Sequence, residues 1–117
     1  MAAAPTAQLI ERQDRNERYL SWIHAFVEEI PLTAQEWPGL PGGERAGFAS
    51  EWDNYMGMAQ TLIADYWSGE LPTEQRDQLF ALLRRIEQFA PLLHQMDLSG
   101  PDSRGLEVLL RVDATAT

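Results

Sequence analysis

No cysteine and no lysine occur among these 117 residues, and only two histidines do. The missing cysteine excludes disulfides, thiolate metal sites and a cysteine nucleophile, and it agrees with a reducing compartment. All nine basic residues are arginines, set against 18 acidic ones, for a formal net charge of -9. That balance repels nucleic acid and anionic membranes at long range, so a charged partner is expected to be a basic protein. Long apolar runs are missing too: no stretch approaches the roughly 18 residues of a membrane-spanning helix. The opening MAAAPTAQLIERQDR has neither the basic start nor the apolar centre of a secretory signal. The expected location is the cytoplasm, with no nucleic acid and no membrane among the partners.

Catalytic fingerprints are equally scarce. There is no G-x-S-x-G, no phosphate-binding loop, no dinucleotide fingerprint, no H-E-x-x-H and no E-x-x-H pair. The stretch GLPGGERAG is rich in glycine but lacks the lysine and the preceding strand of a phosphate cradle. His24 and Glu28 stand four apart, a spacing at which both can reach one metal, but a metal site needs three or four ligands. The sequence therefore names no catalytic residue, no cofactor and no metal ligand, and the protein is expected not to be an enzyme.

What is present is helical periodicity in a chain of globular composition, 44% hydrophobic and 23% charged. The length suits one domain over residues 1–117, with about residues 1–5 and 113–117 disordered. A first helix is expected from about Pro5 to Ile30, where Pro31 ends it. Tyr19, Leu20, Trp22, Ile23, Phe26, Val27 and Ile30 share an arc of roughly 160° at helical spacing, wide enough for two neighbours or a second subunit. Its other half, ERQDRNER at residues 11 to 18, is polar throughout, with Glu11–Arg15 and Asp14–Arg18 at the favourable spacing of four. That half is expected to project from the body or to cross a partner subunit.

Leu32, Thr33, Glu36 and Trp37 have the spacing of a capping box closed by a hydrophobic staple, which accounts for Trp37 inside its own loop. A second helix is expected over about Gly43 to Ser68, its inner face running from Phe48 to Trp67. Gly69 stands as its C-terminal cap, and Gly47 and Gly57 call for close helix–helix approach. Thr73 caps a third helix with Leu79, Leu82, Leu83, Ile86, Phe89, Ala90 and Leu93 inside, interrupted at Pro91. Arg84 and Arg85 point to solvent. After the break SGPDS, GLEVLLRV at 105–112 suits a short helix better than a strand without a mate. The expected fold is all-α, an antiparallel helical bundle of three long helices plus a short C-terminal helix.

Function is read from what remains. Wide apolar arcs, aromatic residues and acidic charge point to a non-enzymatic acidic helical protein-binding module, an adaptor, inhibitor or immunity-type protein acting on a more basic partner. Glu28, Glu29 and Glu36 would steer that partner, and Trp22 or Trp37 would anchor it. Two alternatives stand beside this reading. One is a small-ligand- or metal-binding bundle, or an enzyme accessory subunit, with a site lined by Trp22, Trp52, Tyr55 and His24. The other is a structural subunit of a homo-oligomer, a homodimer being the simplest.

Overall fold

The structure, a computed structural model, describes residues 3–100. Among these residues five helices follow one another: α1 (Ala3–Val27), α2 (Ile30–Glu36), α3 (Gly42–Trp67), α4 (Thr73–Gln88) and α5 (Ala90–Gln95). A single 3-10 turn, Trp37–Gly39, joins α2 to α3. The fold is an all-α bundle in which α1, α3 and α4 are long. The expected helix at 105–112 lies outside the described residues.

Side-chain pairings fix how the long helices run. Asn16 meets Asp65 while Phe26 meets Trp52 and Phe48, so α1 and α3 are antiparallel. Gln13 meets Gln75 while Glu28 meets Arg85, so α1 and α4 are parallel. It follows that α3 and α4 form an antiparallel hairpin, as the short turn between them demands. Helix α1 packs against both, and α2 packs against α5. The wide apolar arc of α1 is thus used on two neighbours of the same chain.

The core is continuous across all five helices. Ile23, Val27, Ile30, Trp52, Ala59, Leu62 and Leu79 have no exposed surface, and Leu83, Ile86, Leu93 and Met96 have almost none. Phe26 sits among three rings of α3, with centroids 4.5 Å from Tyr55, 4.9 Å from Phe48 and 6.3 Å from Trp52. The indole N–H of Trp52 donates to the Ser99 carbonyl at 2.7 Å, so full burial leaves no donor unmet. Ala90, expected inside, faces out.

Several local expectations need correction. The first helix does not run to Ile30: it stops at Val27, and Pro31 lies in the first turn of α2, where its missing N–H costs nothing. Pro31 therefore opens a helix. The capping box does not form, because Thr33 lies inside α2 and the cap position belongs to Glu29, which makes no capping bond. Nor does the staple, since Leu32 is 60% exposed. Thr73 is the first residue of α4, with Pro72 in the cap position, and its hydroxyl accepts a bond from Arg76. The break in the third helical stretch falls at Phe89, and Pro91 sits in the first turn of α5. Beside Gly47 and Gly57 the space is open, so close helix approach does not explain them.

The polar half of α1 does not project. Asn16 is wholly buried, its amide donating to Asp65 Oδ2 at 2.9 Å and its carbonyl oxygen accepting from Arg15. Arg15 also bonds Asp65 at 2.9 Å. Arg12 pairs with Glu70, and the Gln75 amide donates to the Gln13 carbonyl. Polarity here fastens the start of the bundle to the α3–α4 turn. Two turns share one geometry, the Schellman motif. At the end of α3, Gly69 (φ +77) lets Glu70 N–H reach Asp65 O at 3.0 Å. At the end of α5, Asp97 (φ 58) lets Leu98 N–H reach Leu93 O at 2.8 Å.

Candidate interaction surface

The five residues expected to meet a partner do not gather into one patch. Trp22 is 47% exposed on α1, its ring 6.3 Å from that of Tyr19. It falls at the rim of the apolar arc, where neither α3 nor α4 covers it. Glu29 and Glu36 are exposed at the two ends of α2. Neither has an ion-pair partner among the described residues.

Glu28 is committed elsewhere. It accepts two bonds from Arg85, Nε to Oε2 at 2.7 Å and Nη2 to Oε1 at 2.9 Å. The hydrogen bond from Arg85 holds the Glu28 carboxyl below its ordinary value of 4.5, and Glu28 raises Arg85 in turn. Arg85 also donates to Gln88 and lies 4.5 Å from the Phe89 ring. Arg85, expected in solvent, thus ties α4 to the end of α1.

Trp37 is half-buried and serves its own loop. Its ring meets Phe48 edge-on at 6.0 Å, and the Arg45 guanidinium lies 5.7 Å from its centroid. Arg45 donates to the Trp37 and Pro38 carbonyls, both at 3.0 Å, and the Trp37 carbonyl also accepts the Leu40 N–H that closes the 3-10 turn. Trp37 is therefore on the α3 side of the molecule and Glu28 on the α4 side. The site imagined from Trp22, Trp52, Tyr55 and His24 does not assemble either. Trp52 is sealed in the core, Tyr55 packs on Phe26, and His24 lies exposed on the α4 side of α1. Among the described residues, no three histidine or carboxylate side chains come together to hold a metal ion.

Sequence reasoning missed a concavity on the α1–α4 side. A groove of about 580 Å³ runs between α1 and α4. Helix α1 contributes Glu17, Leu20, Ser21 and His24, and α4 contributes Gln78, Ala81, Leu82 and Arg85. Leu20 and Leu82 form an apolar floor; the polar residues form the rim. Ser21 and Ala81 supply little bulk at its middle, which is why two packed helices leave a hollow there. A smaller depression of about 380 Å³ continues it past Glu17 to Asp14 and Arg18. The signal was in the sequence as two parallel series, 17-20/21-24 and 78-81/82-85, each with one small residue at its centre. It was unreadable until α1 and α4 were known to be parallel neighbours.

The arrangement offers apolar contact, hydrogen bonds and negative charge. Among the described residues no helix is long and apolar enough to cross a membrane. No family model matches the chain, and neither curated proteins nor solved structures give a significant match.

Proposed function

We propose that the protein is a non-enzymatic acidic helical module that binds a more basic protein, as an adaptor, inhibitor or immunity-type protein does. The observation that carries this reading is a set of carboxylates left unused by the fold. Asp14, Glu17, Glu29 and Glu36 are exposed and have no ion-pair partner among the described residues. Arginines 12, 15 and 85, by contrast, are each tied to a carboxylate within the molecule. Internal pairing therefore consumes positive charge from a chain that has little, and the surface left over is more one-sided than the sequence total suggests. Such a surface speeds the approach of a basic partner, while exposed Trp22 offers contact area to hold it.

The test is a native mass spectrum of the untagged protein from its own host, followed by binding kinetics. A second, basic chain in the complex is the expected result. Replacing Glu17, Glu29 and Glu36 together with glutamine should then slow association at low salt, with a smaller effect at high salt. Unchanged kinetics at low salt would sink the reading. A homodimer is the second reading, favoured by Leu9 and Ile10, 43% and 54% exposed near the start of α1. It would show as a whole multiple of 13.3 kDa.

A further inference from the structure

We infer that the groove between α1 and α4 is the partner-docking site, and that its occupant is one amphipathic helix of a basic partner protein. That helix carries an arginine or lysine at the end beside Glu17 and aliphatic side chains over Leu20, Ala81 and Leu82. This inference rests on the binding-module reading and deepens it.

Shape comes first. Because α1 and α4 run parallel, the hollow between them is a straight trough. From Asp14 in the smaller depression to His24 in the groove is ten steps along α1, about 15 Å at helical rise, or nearly three turns of a bound helix. The length suits a helix laid in a groove, which places anchors three and four residues apart over an apolar floor. Leu20 and Leu82 are that floor, and Ala81 leaves room above it.

Charge then sets direction. At the upper end Asp14 and Glu17 have no ion-pair partner among the described residues, and Arg18 beside them leaves that end net negative by one. At the lower end Arg85 is neutralised by Glu28 through two hydrogen bonds, so that end neither attracts nor repels a charge strongly. An occupant thus meets an acidic end, an apolar middle and a neutral stop. Ser21 and Gln78 lie along the walls with donors and acceptors for its polar edge. A second copy of this chain fits poorly, because its formal charge of -9 repels the same acidic end.

The experiment uses the full chain, labelled with 15N, and a synthetic helical peptide of about twelve residues. The peptide bears two arginines in its first turn and leucines three and four apart. A control peptide carries glutamate in place of arginine. The expected result is amide shifts at Ser21, His24, Gln78, Ala81 and Leu82, with binding at least tenfold weaker for the control and for Glu17→Arg. Ala81→Trp should block binding by filling the trough. Both positions are exposed, so the spectra of the two variants should otherwise keep the wild-type pattern.

Three results would overturn the assignment: shifts confined to Trp22 or Trp37, equal binding of the two peptides, or no binding of either. The native mass spectrum keeps this failure apart from failure of the broader reading. A basic chain that still co-purifies with Ala81→Trp removes the groove and spares the module. No basic chain with the wild-type protein removes the module itself.

Discussion

Asp65 shows how much one side chain can hold. Its carboxylate takes bonds from Arg15 and Asn16 on α1, while its backbone carbonyl accepts Glu70 N–H and the Ser68 hydroxyl. Removing the carboxylate leaves the Asn16 amide buried without its acceptor. Asp65→Ala should therefore destabilise the fold by about 1–3 kcal/mol in urea denaturation. Glu28 gives a pH-dependent counterpart. Its folded carboxyl is held below the ordinary value by Arg85, so its contribution is present above that value and is lost as pH falls through the folded one. Glu28→Gln should melt lower than wild type at neutral pH, and the gap should close as pH falls through the lowered folded value of the Glu28 carboxyl. Neither pairing was legible in the sequence. Arg15 had a carboxylate four residues away in Glu11, and its true partner lies 50 positions on. Local spacing cannot rank a tertiary competitor, and Asn16 reads as solvent-facing until Asp65 is placed opposite it.

Elements were easier to read than their ends. The apolar periodicity of α3 and α4 marked nearly every buried position, because those faces pack against one core throughout. The boundaries that failed all involve proline. Pro31 was read as a stop and Pro91 as an interruption, and each sits in the first turn of a new short helix, since proline's fixed φ suits a start as well as an end. Gly69 was recognisable as a cap because glycine adopts positive φ freely. Asp97 plays the same part at the end of α5 with a side chain that resists it. Asp97→Gly should accordingly raise stability by about 1 kcal/mol, visible as a higher melting temperature, with no change in the Leu98 to Leu93 bond. A fall in stability would mean that the aspartate side chain holds the turn through a contact of its own.

At the scale of the whole molecule, acidity and the all-α class were plain from composition and periodicity, whereas the groove needed the third dimension. Its walls come from helices far apart in sequence, and only their parallel course makes them walls. That same course has a consequence in time. The bonds joining α1 to the α3–α4 turn and to α4 span 58, 62 and 57 residues. The α3–α4 hairpin, by contrast, closes through a turn of five residues, Ser68 to Pro72. Chain entropy favours the near closure first, so α1 should dock onto a hairpin already formed. Shaving Ile23 to valine should then hasten unfolding while leaving the folding rate almost unchanged in stopped-flow measurements, whereas Leu79→Ala should slow folding. On the ribosome α1 emerges long before α4 exists to receive it. The polar run of residues 11 to 18 then keeps half of that waiting helix unattractive to other chains.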